Sequence, residues 1–94
     1  MSRTRYLIAY DICDPKRLRR VIKVMEGYGQ RLQYSVFLCD LNKAELLSWR
    51  AEIVPELEPR QDSVVLIDLG PPGSRPMETI GTSRSLPTSG PVIV

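Results

Sequence analysis

Histidine is absent from this 94-residue chain, and that absence removes a large block of chemistry. The usual zinc sites, the Ser-His-Asp and Cys-His nucleophile arrangements and the commonest general base all need imidazole. Any catalysis therefore falls to carboxylates, a metal ion, Ser, Tyr or Cys, or arginine. Cysteine is nearly as scarce: Cys13 and Cys39 stand alone, without CxxC spacing. They are expected to pack as small apolar residues in a reducing cytosol rather than to form a bridge. No apolar run approaches the length of a membrane span and the start does not resemble a signal peptide, so no membrane contact and a cytoplasmic location are expected. A Gly-rich phosphate loop is also missing, which excludes nucleotide hydrolysis of the P-loop kind. No aromatic run of the RNA-recognition type occurs, which argues against base-specific reading on a sheet face.

What is present is enough for one domain, near the lower end of what a single core can stabilise alone. Short chains with exposed strand edges often gain stability by pairing, so a homodimer is expected. The net charge of +2 hides an asymmetry: residues 1–31 carry eight Lys/Arg and three Asp/Glu, whereas residues 32–94 carry five and eight. Concentrated positive charge suits a polyanion better than a small neutral ligand.

Arg5 to Ile12 reads as a buried or half-buried strand. Asp14-Pro15 then supplies an N-cap and a first helical residue. Leu18, Val21, Ile22 and Met25 repeat at helical spacing, with Arg17, Arg20 and Lys23 off that stripe towards solvent, and Gly27 and Gly29 mark the stop. Arg31 to Leu41 is extended, either one strand or two short ones bent near Tyr34-Ser35. Asn42-Lys43-Ala44-Glu45 has the form of a capping box, and Leu46, Trp49, Ile53 and Leu57 continue a second helical stripe. Pro55 either kinks that helix or ends it just before. Asp62 to Leu69 is a last strand. Residues 1–70 thus form a core, and residues 71–94 are a Pro/Gly-rich segment holding five of the eight prolines. Within that segment Met77-Glu78-Thr79-Ile80 and Pro91-Val92-Ile93-Val94 could be short strands that cover an edge of the same chain or a partner. The order fits an α+β, ferredoxin-like βαββαβ sandwich, which by itself implies no function.

The chemistry centres on Asp11, a carboxylate delivered to the end of the first strand just before a basic helix. Its plain reading is as an acid near a helix start, but Asp14 fills that role better. One carboxylate is a poor metal site, yet magnesium takes one or two and completes its shell with water and phosphate oxygens. Two Asp11 residues facing each other across a two-fold axis would meet that need. Lys16, Arg17, Arg19, Arg20 and Lys23 are either a solvated helix face or a set of phosphate contacts, with Arg31 joining from the strand side. Tyr34-Ser35-Val36-Phe37 is ordinary strand packing, or it sets Phe37 or Tyr34 near a splayed base and Ser35 near a phosphate.

Tyr10-Asp11-Ile12, the Arg/Lys-rich helix, Gly27-Tyr28-Gly29-Gln30-Arg31-Leu32-Gln33-Tyr34-Ser35-Val36-Phe37 and the strand start Asp62-Ser63-Val64 follow one another in a distinctive order and spacing. Together they resemble the small CRISPR-associated nuclease of the adaptation machinery, the subunit that partners the CRISPR integrase. The resemblance covers residues 5–70, and Glu78-Thr79-Ile80-Gly81 more loosely. It implies a ferredoxin-like homodimer whose C-terminal strand packs on the neighbouring subunit. It also implies a divalent-metal site, for Mg2+ or Mn2+, built from Asp11 of each subunit. The implied activity is metal-dependent cleavage of single-stranded RNA or double-stranded DNA, joined to a bridging role in the complex that inserts new spacers. Arg17, Arg20, Arg31, Ser35 and Phe37 match positions near the family's active region. Leu38 stands where family members often carry an acid.

Two functions from different classes follow. One is a magnesium-dependent endonuclease in which Asp11 holds metal while Arg17, Arg20 and Arg31 hold the backbone. The other is a non-catalytic dimeric scaffold that clamps spacer-precursor DNA between integrase subunits through its basic faces. A small regulatory domain is the third reading, should the motif match be accidental.

Overall fold

A computed structural model describes residues 2–82 of the chain. Four strands and two helices alternate in the order expected: β1 (Thr4–Asp11), α1 (Pro15–Glu26), β2 (Gln30–Gln33), β3 (Val36–Leu41), α2 (Lys43–Ile53) and β4 (Ser63–Asp68). The sheet runs β2-β3-β1-β4, with β1 antiparallel to both β3 and β4. This is the split βαβ arrangement of a ferredoxin-like α+β fold.

The helices form where local chemistry starts and stops them. Asp14 accepts a hydrogen bond from the Arg17 amide at 2.9 Å, and Pro15 occupies a position whose N–H would have been unsatisfied. Asn42 and Glu45 close a reciprocal capping box, each side chain bonding the other's backbone N–H at 2.8 Å. Pro55 does not kink α2: the helix ends at Ile53 and tightens into a single 3-10 turn, Val54–Glu56. The extended chain after α1 is two strands, turning at Tyr34 and Ser35, with an irregularity between Arg31 and Gln33. Gly27 ends α1 in ordinary right-handed geometry. Gly29 is required for a different reason, because a Cβ there would overlap the Leu38 carbonyl oxygen and the Cys39 Sγ.

Both helices pack on one face of the sheet. Ile8 and Tyr10 of β1 and Phe37, Cys39 and Leu41 of β3 meet Val21, Met25, Trp49 and Ile53 in a single core. Full burial of each large apolar side chain contributes about 1.5–3 kcal/mol. Cys39 is buried and free, its thiol pushed up to about 12 by burial, while Cys13 is free and exposed.

Because side chains alternate along a strand, the opposite face carries Leu7, Ala9 and Asp11, flanked by Val36 and Leu38 on β3 and by Val65 and Ile67 on β4. No helix covers it, and Val65 and Ile67 remain 52% and 46% exposed. After β4 the chain turns at Gly70 (φ 80°), and Leu7, Leu69, Pro71 and Met77 line a shallow cleft beside Arg5. Met77–Ile80 forms no strand within this chain, and the expected strand Pro91–Val94 lies outside the described residues. No helix among the described residues is long and apolar enough to cross a membrane.

Candidate functional site

Asp11 is the last residue of β1 and lies opposite Ser63, the first residue of β4. Its side chain is exposed and sits on the helix-free face. Two acids near it are already engaged: Asp14 caps α1, and Asp62 is buried and paired with Arg17. Asp11 itself has no side-chain hydrogen bond or ion pair among the described residues, so its carboxylate remains available to a ligand. Among the described residues no cluster of three or more His, Cys, Asp or Glu could hold a metal. One exposed carboxylate with hard oxygen donors fits a largely hydrated magnesium ion, and it does not fit zinc.

The β2–β3 turn is fastened to the same strand end. The Tyr10 amide donates to the Ser35 carbonyl at 3.1 Å, and the Tyr10 hydroxyl donates to the Tyr34 carbonyl at 3.1 Å. Ser35 is thereby held beside the strand residue that precedes Asp11. Burial pushes the Tyr10 hydroxyl above its ordinary value, with Arg31 opposing the shift, so Tyr10 stays a neutral donor at physiological pH.

Arg31 and Phe37 occupy the other side of the sheet. They are register partners, the Arg31 guanidinium lies 5.7 Å from the Phe37 ring centre, and Phe37 is wholly buried. A ring with no exposed surface acts through packing and does not touch a base. Tyr34, at 67% exposed, is the aromatic of this turn that solvent can reach. The Arg31 Nε is buried without a hydrogen-bond partner.

The basic helix divides in two. Lys16, Arg19, Arg20 and Lys23 are exposed on the side of α1 away from the core. Arg20 pairs there with Glu56 at 2.8 Å, and Lys16, Arg19 and Lys23 have no ion pair among the described residues. Arg17 differs: it turns inward from the surface expected for it and pairs with Asp62 at 2.8 Å. That guanidinium, with the Cys13 and Glu58 amides, holds the Asp62 carboxyl well below the usual carboxylate range. Asp62 itself was legible only as the start of a strand motif.

The structure thus brings Asp11, Ser35 and the start of α1 to one end of the sheet. It does not put Asp11 and the cations on one face: Asp11 lies on the helix-free side, and the exposed cations lie on the outside of the helix layer. Leu38, where the resemblance implies an acid, pairs with Leu7. That is four residues along β1 from Asp11, about 13 Å at strand rise, so a carboxylate at that position would not reach Asp11 of the same chain.

Residues 4–75 match the family described as CRISPR associated protein Cas2. A Rhodospirillum rubrum protein named CRISPR-associated endoribonuclease Cas2 1 is 44% identical over 66 residues, 70% of this chain and 65% of that relative. CRISPR-associated endoribonuclease Cas2 2 of Thermodesulfovibrio yellowstonii is 39% identical over 87% of this chain and 88% of its own length. Among solved structures, Streptococcus pyogenes Cas2 at pH 6.5 superposes with a TM-score of 0.73 at 35% identity, covering 82% of this chain and 99% of that one. A hypothetical Thermus thermophilus protein superposes at 0.78 and 28% identity, over 86% and 94%. With the family match spanning the whole sheet and both helices, the chain belongs to the CRISPR-associated Cas2 family.

Proposed function

We propose that the protein is a metal-dependent endonuclease of CRISPR adaptation, cutting phosphodiester bonds in single-stranded RNA or duplex DNA. The observation that carries this reading is the exposed Asp11 carboxylate at the end of β1, free on the helix-free face while neighbouring Asp14 and Asp62 are committed to the α1 cap and to Arg17. The names of the relatives, endoribonuclease in several organisms and endonuclease in Halalkalibacterium halodurans, point to the same activity.

Leu7, Ala9, Leu38, Val65 and Ile67 give the helix-free face an apolar surface suited to a second copy of the chain. Stacking two copies on this face brings the two Asp11 strand ends into one interface, which supplies the pair of carboxylates that magnesium, or manganese, accepts. Such an ion supplies a Lewis acid and an activated water. Asp11 binds and orients it, and Ser35, whose backbone is held beside the end of β1, supplies a hydroxyl to a phosphate oxygen or a water. Lys16, Arg19, Arg20 and Lys23 hold the nucleic-acid backbone through charge, without reading sequence. Cleavage of labelled single-stranded RNA and duplex DNA, with magnesium or with a chelator, tests the proposal in wild type and Asp11→Asn. Loss of cutting with chelator and in Asp11→Asn is expected, and undiminished cutting by a folded Asp11→Asn protein refutes it.

The separation of cations from Asp11 favours a second reading, in which the protein bridges the integrase complex for spacer insertion by gripping spacer-precursor DNA on the outer face of α1. Charge reversal at Arg19 and Lys23 then abolishes spacer acquisition, whereas Asp11→Asn leaves it intact. Acquisition lost in Asp11→Asn, with DNA and integrase binding preserved, counts against this reading.

A further inference from the structure

Among the described residues the Asp62 carboxylate is the most fully hydrogen-bonded side chain. Its side chain has no exposed surface. Oδ1 accepts from the Cys13 amide at 3.0 Å and from Arg17 Nη2 at 3.1 Å. Oδ2 accepts from Arg17 Nε at 2.8 Å and from the Glu58 amide at 2.8 Å. Two bonds on each oxygen use the full acceptor capacity of a carboxylate, so Asp62 has no lone pair left for a metal or a water.

What it ties together is specific. Asp62 immediately precedes Ser63, the residue opposite Asp11 in the β1–β4 ladder. Cys13, whose amide it accepts, lies two residues after Asp11, where the chain has left the sheet. Arg17 stands in the first turn of α1, and its Nη2 also donates to the Gln61 side chain at 3.0 Å. The Cys13 thiol donates to the Gln61 carbonyl at 2.9 Å. The short connection 12–14 is thereby fixed to the start of β4 and to the helix, just beyond the last β1–β4 pair.

We infer that Asp62 and Arg17 are positioning residues for Asp11, setting the direction in which its carboxylate leaves the end of β1. The role assigned to Arg17 changes accordingly: its guanidinium is spent on Asp62 and is not offered to phosphate. The inference rests on the reading of Asp11 as a metal ligand. A ligand is only as well placed as the groups that hold it, and loss of such supporting contacts commonly weakens metal affinity by about 10–100-fold.

The test is Mn2+ binding followed by electron paramagnetic resonance, without nucleic acid, on full-length wild type, Asp11→Asn, Asp62→Asn, Arg17→Gln and Arg17→Lys. Asp62→Asn keeps one acceptor oxygen for the Cys13 amide. Should it still fail to fold, the two Arg17 variants carry the test, with Trp49 fluorescence confirming folding. Wild type should bind and Asp11→Asn should not. Asp62→Asn and Arg17→Gln should bind about tenfold more weakly, Arg17→Lys should recover part of the loss, and duplex DNA affinity of Arg17→Gln at fixed salt should stay within twofold of wild type. Folded variants with wild-type Mn2+ affinity overturn the positioning role alone. A fall in DNA affinity for Arg17→Gln with Mn2+ affinity intact returns Arg17 to the phosphate contacts and overturns it too. Wild type that binds no Mn2+ overturns the metal reading of Asp11 and the positioning role with it.

Discussion

Replacing Phe37 separates packing from chemistry. The ring is fully buried, its centre 6.1 Å from that of Tyr10 and 5.7 Å from the Arg31 guanidinium. Phe37→Ala should cost about 3–5 kcal/mol, the range for emptying a buried aromatic site. A domain of this size has roughly 5–14 kcal/mol in total, so that variant stands close to unfolding. Phe37→Leu keeps most of the volume and loses mainly the aromatic pair, about 0.5–1.5 kcal/mol, and the cation–π contact, about 0.5–2 kcal/mol. A loss of about 1–3.5 kcal/mol leaves at least about 1.5 kcal/mol, or roughly 93% folded protein. Urea unfolding, at one protein concentration, reads these differences through Trp49. It is the chain's single tryptophan, and its indole N–H points at the Met25 sulfur from 3.2 Å. If Phe37 acts only by packing, Phe37→Leu cuts nucleic acid within a few-fold of wild type. A Leu variant that unfolds at nearly wild-type urea but has lost cleavage thirtyfold or more would refute that reasoning and put the ring in contact with substrate.

Gly29→Ala forces a methyl group against the Leu38 carbonyl and the Cys39 sulfur; the carbonyl belongs to the sheet and cannot yield, so the loss should reach about 3 kcal/mol, the upper end for overpacking, in the same urea assay. The acid limb of stability has a definite sign. Arg3 and the Asn42 amide lower Glu45 from its ordinary 4.5 to about 2, and Asp62 and Asp14 are lowered as well. Depressed carboxyls stabilise the fold above their unfolded values and lose that effect as pH falls through the folded ones. The melting temperature should therefore be flat above about pH 5 and fall steadily between about pH 4.5 and 2, with a shallower fall in Arg3→Ala; a fall beginning near pH 6 would contradict it. Arg19→Ala and Lys23→Ala should each reduce the salt dependence of duplex binding, lowering the slope of log K against log salt by about 0.9. An unchanged slope would remove that residue from the phosphate contacts.

The helices were the most legible part of the sequence because their signals are local. Asp14-Pro15 and Asn42 to Glu45 declare helix starts within four residues, and Leu18, Val21, Ile22 and Met25 declare the buried face of α1. The bend at Tyr34-Ser35 was visible as an alternative but not decided, because alternation with period two continues through either arrangement. Site geometry was the least legible, since it depends on pairings far apart in the chain. Periodicity puts Arg17 off the apolar stripe, and only the fold brings Asp62 to it across 45 residues. The single trace of Asp62 in the sequence was an acid at the head of an apolar strand, the ordinary mark of a turn. Likewise, nothing local says that Arg31 pairs with Phe37 and lies across the sheet from Asp11; that follows from the β2–β3 register.

That separation of faces carries a consequence for how cutting and binding are related. Asp11 leaves the sheet on the side without helices, and Arg19 and Lys23 project from the far side of the helix layer. Within one chain they do not share a phosphate. Their contributions to nucleic-acid affinity should then be independent, and distant independent sites add to within about 0.3–0.5 kcal/mol. A double-mutant cycle with Asp11→Asn and Arg19→Ala, read as duplex affinity in magnesium, measures this directly. Additivity places the grip and the metal ligand on different stretches of the bound strand, so that grip can serve spacer insertion whether or not cleavage follows. A coupling above about 1 kcal/mol, beyond what distant sites show, would mean that the two side chains meet at one phosphate, which requires the cation to come from a second copy of the chain.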